Sequence, residues 1–374
     1  MKNTTLLPSV FSLLSVAFIV SWIGLASPAL AQEHVTFQAD ALFYGDNTEF
    51  RNPFREGETI FGSAVRAAAR FDVNDRVRFS LGVFGNVRFG ADDGDEIDQV
   101  RPVIALTISG RRSSFSFGTL NTPRAGTTAE PRDGLVRGPD RTGPHGLLPP
   151  IQRETLAFDR PHEAGLQWTF DGERLRHDLW INWQRLNTRE HRERFDAGAN
   201  GALLASRAIA VPFQLHVVHE GGQLFASGPV ADSVVAGVGV AVHGRVAHVD
   251  RAEIEAYALA SKFVPDRTQP TQKLNGAGFL ARMSAERAGW RGHLLVWRGK
   301  DFIKDEGDSN YMSIQRDGTR YRGTRDYAET GLTRMFRPAP SVVLEASGRF
   351  HRIERHYEYS FRVLATANVS VTLR

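Results

Sequence analysis

The chain has 374 residues and no cysteine, so neither a disulfide nor a thiolate metal site is available to it. Its 46 basic and 42 acidic residues give a net charge of only +4, which argues against a general binder of nucleic acid. Five of the 46 basic residues are lysines, leaving 41 arginines. A GC-rich genome would explain this bias, and so would an arginine-lined surface.

The first 31 residues have the features of a secretory signal. Lys2 precedes a long apolar stretch, and the small residues Ala29 and Ala31 suit a cleavage site. We therefore predict a signal peptide over residues 1–31 and a mature protein over residues 32–374. Beyond residue 31 no stretch reaches the ~18 to 20 apolar residues of a membrane-spanning helix. A mature chain in a membrane would therefore cross it as strands.

Alternating apolar and polar residues predict five strands before residue 121. In the third, Leu81 and Val83 face one side, whereas Arg78 and Ser80 face the other. The connections alternate between tight turns, such as that at Asn74, and longer polar loops. The predicted strands cover residues 35–44, 61–73, 77–89, 101–109 and 113–120.

Residues 121–162 form the longest irregular stretch, with seven prolines. Compact soluble domains seldom contain such a loop unless it has a function.

The rest of the chain continues in strand pairs. Residues 188–207 are predicted as a charged loop and residues 223–227 as a short, poorly patterned strand. Residues 246–260 also allow a helix, which Asp250 would cap with Glu253 at its third position, but their alternation favours a strand. The predicted strands cover residues 163–170, 175–186, 211–219, 223–227, 233–243, 246–260, 274–285, 290–299, 325–336, 341–353 and 358–374.

The closing strand, residues 358–374, alternates almost without a break, and only Leu364 departs from the pattern. A soluble β-sandwich shows the same alternation. A transmembrane antiparallel β-barrel is favoured instead by three features: the predicted signal for export, the even number of strands, and the short turns opposite long loops. We predict an all-β protein of about 16 strands, with 14 to 18 compatible with the pattern, and a long loop after strand 5.

This arrangement resembles the Gram-negative general porins over the whole mature chain, although it contains no sharp sequence motif. One departure is the C-terminus, which ends in Leu373 and Arg374 where porins usually have an aromatic residue. The resemblance implies a location in the outer membrane and a loop after strand 5 that narrows the pore opposite lumenal arginines. The matching loop residues are Arg132, Asp133, Arg137, Asp140 and Arg141. The matching pore-lining residues are Arg66, Arg70, Arg78, Arg88, Arg101, Arg349 and Arg362.

The expected function is passive diffusion of small hydrophilic solutes, with a preference for anions because of the arginines. An export channel for acidic polysaccharide and a soluble periplasmic β-protein are the alternatives. The expected partners are membrane lipids, lipopolysaccharide and small anionic solutes, but not nucleic acid. Assembly into a homotrimer is left open.

Sequence motifs of catalysis are absent. There is no Gly-x-Ser-x-Gly, no His-Glu-x-x-His and no phosphate-binding loop. His216 and His219 are three residues apart, so a strand directs them to opposite faces and away from a shared metal. We therefore predict neither enzymatic activity, nor a cofactor, nor a bound metal.

Overall fold

The computed structural model describes residues 35–90, 99–122, 143–246 and 248–373, which form one closed antiparallel barrel of sixteen strands. Each strand pairs with the next along the chain, and the last pairs with the first. The strands are β1 (Val35–Arg51), β2 (Glu56–Asp72), β3 (Val77–Arg88), β4 (Gln99–Ser109), β5 (Ser113–Thr119), β6 (Ala164–Asp171), β7 (Leu175–Arg185), β8 (Glu193–Leu204), β9 (Ile209–Gly221), β10 (Ala231–Val246), β11 (Val249–Val264), β12 (Leu274–Arg287), β13 (Trp290–Lys300), β14 (Thr324–Ala339), β15 (Val342–Ile353) and β16 (His356–Leu373).

Pairing between β1 and β16 closes the barrel. Its register runs from Val35 opposite Leu373 to Glu49 opposite Tyr359. Closure leaves no free sheet edge, so the backbone groups of the wall are hydrogen-bonded between strands, as a hydrocarbon environment requires. Within the described ranges, no helix is long and apolar enough to span a membrane.

The outer face of the barrel is apolar. Leu81, Phe117 and Val363 are 44%, 61% and 57% exposed, and large apolar side chains occupy outward positions on most strands. A soluble protein rarely exposes apolar surface on this scale. The outward belt therefore excludes the soluble β-sandwich and confirms a transmembrane barrel of the porin type.

The two ends of the barrel differ. Short turns, such as residues 73–76 and 288–289, join the strands at one end, which we call the turn end. Long connections, such as residues 120–163 and 301–323, join them at the other, which we call the loop end. The predicted asymmetry and the long loop after strand 5 are thus confirmed.

The predicted number of sixteen strands is correct, but the predictions for two segments were wrong. Residues 188–207 are not a loop throughout, because they contain β8, and residues 223–227 lie in the connection between β9 and β10. β8 was missed because glycines and small residues weaken its alternation, as at Gly198 and Gly201. It is nevertheless paired along its length with both β7 and β9. The two errors cancel in the count.

Two segments of the loop-end connections, residues 143–162 and 302–321, fold into the lumen; together we call them the plug. Leu148, Ile151 and Phe302 of the plug are fully buried in one apolar cluster with wall residues such as Leu280 and Trp297. The short helix α1 (Leu156–Asp159) packs against β1, where Phe158 stacks on Tyr44 at 4.8 Å between ring centroids.

Leu364, the one residue that breaks the alternation of the closing strand, is buried in the same cluster as Tyr44 and Phe158. It faces the lumen, so contact with α1 accounts for an apolar residue on the polar face. The plug thus explains the departure from the sequence pattern.

Candidate functional site

Three of the predicted pore-lining arginines bind the plug. Arg88 forms an ion pair with Asp159, and Arg349 and Arg362 each donate to Glu154 over 2.9 Å. Arg362 also donates to both carboxylate oxygens of Asp46, over 2.9 and 3.2 Å. On the inner face of the wall, carboxylates of the plug and of β1 neutralise these arginines.

Of the other predicted pore-lining arginines, three lie nearer the turn end on β2 and β3, whereas Arg101 lies at the loop end of β4. Asp40 of β1 lies directly opposite Arg66, and Arg78 donates to Asp72 over 2.6 Å. Acidic residues of neighbouring strands therefore accompany this group as well. The group consists of Arg66, Arg70, Arg78 and Arg101. The predicted constriction residues Arg132, Asp133, Arg137, Asp140 and Arg141 lie outside the described residues.

Four lumenal side chains form a continuous hydrogen-bonded chain on β14, β15 and β16, which we call the serine relay. Ser360 Oγ lies 2.8 Å from His351 Nε2, and His351 Nδ1 lies 2.8 Å from the hydroxyl of Tyr327. The Tyr327 hydroxyl in turn donates to Glu329 Oε2 over 2.6 Å. The four residues are between 3% and 8% exposed.

If His351 is neutral, hydrogen-bond accounting gives the direction of the serine relay. The Tyr327 hydroxyl has one proton and gives it to Glu329, so it accepts from His351 Nδ1–H. Neutral His351 then has a lone pair on Nε2, which accepts the proton of the Ser360 hydroxyl. A serine bonded to a histidine that is itself oriented by further groups is the arrangement of an activated nucleophile.

Strand pairing explains why these residues meet. Glu329 is opposite His351 across β14 and β15, and Arg349 is opposite Ser360 across β15 and β16. Neighbouring inward positions on paired strands bring their side chains within reach of each other. The Gly-x-Ser-x-Gly pattern does not detect this arrangement because its members come from three strands and lie up to 33 residues apart.

The serine relay borders a cavity of about 50 Å³ beneath the plug. Pro149, Glu154 and Thr155 of the plug form part of its lining, together with Arg349 and Arg362. This space admits a few water molecules but no acyl chain. Entry of a larger molecule therefore requires residues 149–155 to move.

A second polar cluster lies where the plug meets β6 and β7. The His145 ring stacks on Trp180 at 3.7 Å between centroids, and its nitrogens lie 2.7 Å from Glu163 and 2.9 Å from Asp178. Burial lowers the pKa of His145, but the two carboxylates outweigh this effect and raise the pKa to about 10. His145 is therefore a buried cation at neutral pH.

A third group, Asp196, His216 and Glu306, brings three potential metal-ligand atoms within 4.8 Å of one another. Asp196 accepts from Trp180 and His216, and Glu306 accepts from Arg160 and Arg194. His216 Nδ1 and Glu306 Oε2 are buried and have no hydrogen-bond partner among the described residues. His216 faces the lumen while His219 pairs with Asp232, as their spacing predicts.

Comparison with known proteins gives a family and a fold. The sequence profile of a family described as lipid A 3'-O-deacylase-type matches residues 27–131 and 140–374. A search of curated proteins finds no match.

Solved structures with a similar fold are outer-membrane proteins. A loop L8 deletion mutant of OmpT from Vibrio cholerae superposes with a TM-score of 0.53 at 10% identity, covering 91% of this chain and 100% of the other. OccK8 (OprE) of Pseudomonas aeruginosa gives 0.52 at 9% identity, covering 90% and 98%. An anion-selective porin from Comamonas acidovorans gives 0.52 at 9% identity, covering 90% and 100%. At these identities the likeness establishes the fold alone.

Acidification should loosen the plug. Burial raises the pKa of Glu154, but Arg349 and Arg362 outweigh it and lower the pKa to about 2. Because the folded-state pKa lies below the ordinary value of 4.5, the stabilisation is complete above pH 4.5 and is lost as the pH falls towards 2. We expect the temperature at which the purified barrel changes its gel mobility to fall over this range, and to fall less in Glu154→Gln. Glu56→Gln, at an exposed residue, should behave as the wild type; equal pH dependence in all three proteins would contradict the assignment.

Proposed function

The chain belongs to the lipid A 3'-O-deacylase-type family, and from this membership together with the serine relay we propose that it is an outer-membrane hydrolase of acyl esters. The observation that supports the proposal most directly is the 2.8 Å contact between Ser360 Oγ and His351 Nε2. The proposed substrate class is an acylated glycolipid of the lipid A type, which follows from the family. The prediction from the sequence that the chain is not an enzyme is thereby reopened.

In the proposed reaction, Ser360 Oγ attacks the ester carbonyl while its proton passes to His351 Nε2. The imidazolium that forms is stabilised by Tyr327 and, through it, by Glu329. When the tetrahedral intermediate collapses, the bond between the carbonyl carbon and the sugar oxygen breaks, and His351 gives the proton to that oxygen, which leaves as a hydroxyl group. Water then cleaves the acyl–serine ester by the same steps, releasing a fatty acid.

Positive charge near Ser360 suits this chemistry. Arg349 is opposite Ser360 in the strand register, and Arg362 follows two residues after it on the same face of β16. Negative charge that develops on a carbonyl oxygen would meet these guanidinium groups in a site largely removed from water. Both arginines bind Glu154, so displacement of residues 149–155 would open the cavity and free positive charge in one movement.

Replacing the nucleophile tests the proposal. Purified wild-type protein should release fatty acid from bisphosphorylated lipid A and hydrolyse a p-nitrophenyl acyl ester. Ser360→Ala should lose at least about 10³-fold in kcat, because the remaining groups cannot form the acyl–serine ester.

Ser347→Ala is the matched control, since Ser347 also faces the lumen on β15, is 7% exposed and lies outside the serine relay. Its activity should equal that of the wild type. Retained hydrolysis in Ser360→Ala, or no hydrolysis by the wild type of either ester, would overturn the proposal.

A second candidate function is passive diffusion of small anions, as the sequence predicts. The observation that favours it is the group Arg66, Arg70, Arg78 and Arg101, which brings basic side chains to the inner face of three adjacent strands. Such a wall raises the local concentration of anions, and salt screens the effect over about 10 Å at 0.1 M. This function requires a water-filled path beside the plug.

Single-channel recording tests this candidate separately. Under a KCl gradient the reversal potential should indicate anion preference, and it should move towards cation preference when Arg66, Arg70 and Arg78 are all replaced by serine. Ser360→Ala should leave the reversal potential unchanged. A cation-preferring wild type, or a triple variant that behaves as the wild type, would remove the arginine group as the selectivity element.

The remaining proposals follow from the barrel. We infer export through the signal peptide over residues 1–31, residence in the outer membrane with the turn end towards the periplasm, and contact of the outward belt with membrane lipids and lipopolysaccharide. Assembly into a homotrimer stays a prediction.

A further inference from the structure

Three buried side chains from distant parts of the sequence meet where the plug contacts β8 and β9. Asp196 lies on β8, His216 on β9 and Glu306 in the plug. Asp196 Oδ2 lies 3.2 Å and Glu306 Oε2 lies 3.9 Å from His216 Nε2. The His216 side chain is fully buried, and those of Asp196 and Glu306 are 1% and 4% exposed. We call this group the plug cluster.

The hydrogen bonds of Glu306 are distributed unevenly between its two carboxylate oxygens. Oε1 accepts from Arg160 over 2.6 Å, from Gln184 over 2.9 Å and from Arg194 over 3.1 Å. Oε2 is buried and accepts no hydrogen bond from the described residues. Folded proteins pair buried polar atoms with a donor, a water molecule or an ion, because an unpaired one is costly. The three donors on Oε1 therefore hold Glu306 in place while Oε2 stays available to a ligand.

Asp196 and His216 can each supply a further ligand atom. Asn182 and Gln184 donate to Asp196 Oδ1 over 2.8 and 2.7 Å, and Trp180 donates to Oδ2 over 3.0 Å, so this carboxylate is also held in place. His216 Nδ1 has no partner among the described residues, so no contact there prevents Nδ1 from carrying the imidazole proton. In that tautomer His216 Nε2 presents a lone pair, and a cation can lie between Nε2 and Asp196 Oδ2.

The spacing of the plug cluster suits one zinc ion. Zinc binds imidazole nitrogen and carboxylate oxygen at about 2.0 to 2.2 Å, so two atoms bound to the same ion lie roughly 3 to 4 Å apart. The separations of 3.2 and 3.9 Å fall in this range, and all three ligand atoms lie within 4.8 Å of one another. An imidazole among the ligands favours zinc over calcium and magnesium, which prefer oxygen ligands alone.

We propose that the plug cluster binds Zn²⁺ through Asp196 Oδ2, His216 Nε2 and Glu306 Oε2. Three protein ligands leave one of the usual four positions for a water molecule. Because two ligands belong to the wall and one to the plug, the ion connects residues 302–321 to β8 and β9. The serine relay lies on β14 to β16, so zinc binding does not depend on hydrolysis.

Lys304 of the plug places a positive charge beside the plug cluster. It is fully buried, and its ammonium group interacts electrostatically with His216, Asp196 and Glu306. Lys304 Nζ donates to the backbone oxygen of Ser233 over 3.5 Å, which is long for a hydrogen bond. Removing the charge of Lys304 should strengthen zinc binding, because like charges repel. A Lys304 variant therefore tests the location of the ion with all three ligands in place.

The test measures zinc binding by the purified barrel, without a histidine tag, after a chelator has removed bound metal. Isothermal titration calorimetry should show one Zn²⁺ per chain for the wild type and for Ser360→Ala. His216→Gln and Glu306→Gln should bind zinc at least about 100-fold more weakly, since losing a residue that only orients a ligand already lowers metal affinity by about 10- to 100-fold. Lys304→Met should bind zinc more tightly than the wild type, by at least about threefold.

His219→Gln supplies the matched control, because His219 also lies on β9 but pairs with Asp232. It should bind zinc as the wild type does, and the gel mobility of each unheated variant shows that its barrel is folded. The proposal would be overturned if the wild type bound no zinc, or if His216→Gln and Glu306→Gln bound it as tightly as the wild type. An equal loss in His219→Gln, weaker binding by Lys304→Met, or displacement of the zinc by equimolar calcium would overturn it as well.

Discussion

The lumen of this barrel is organised by the contact of Glu154 with Arg349 and Arg362. Glu154 is only 12% exposed, and each arginine donates to it over 2.9 Å. Removing one partner of such a pair leaves a charge without compensation, which costs about 3–5 kcal/mol in buried settings. The plug is therefore bound to β15 and β16 by charge, besides its apolar contacts with the rest of the wall.

The position of the plug determines the space available for chemistry. Residues 149–155 cover a small cavity that the serine relay borders, and the arginines that bind them lie on the same strands as Ser360 and His351. Arg349 and Arg362 thus hold the plug over the cavity and also place positive charge beside Ser360. The barrel has the porin fold, yet its lumen combines a packed interior with a serine that is hydrogen-bonded to a histidine. Fold likeness alone would not reveal this difference.

The sequence predicts the wall well because period-two alternation is a local signal. This alternation predicts the even number of strands and the direction of side chains such as Leu81. It also predicts the long loop after strand 5. β8 was not predicted, because its small residues differ little in hydrophobicity and so show no clear alternation. It forms a strand because it pairs with both β7 and β9. The strand conformation of β8 therefore depends on tertiary contacts and not on its local sequence.

The lumen could not be predicted in the same way. Residues 302–321 lie in the lumen because they pack against wall residues that are distant in sequence. No local pattern in this charged segment predicts that position. Glu154 and Asp46, which pair with Arg349 and Arg362, lie between 195 and 316 residues from these arginines in sequence. The serine relay likewise exists only through strand register. His216 illustrates both sides: the spacing predicts that it lies on the opposite face from His219, but it does not predict its neighbours Asp196 and Glu306.

We propose that Ser360 is a nucleophile activated by His351. The most direct measurement is covalent labelling of the purified full-length barrel with a fluorophosphonate, followed by mass spectrometry of its peptides. We predict one adduct, on Ser360, whose formation slows when His351 is replaced by glutamine. No adduct on Ser360 with the barrel intact, or labelling at the same rate in His351→Gln, would show that Ser360 is not a nucleophile activated by His351.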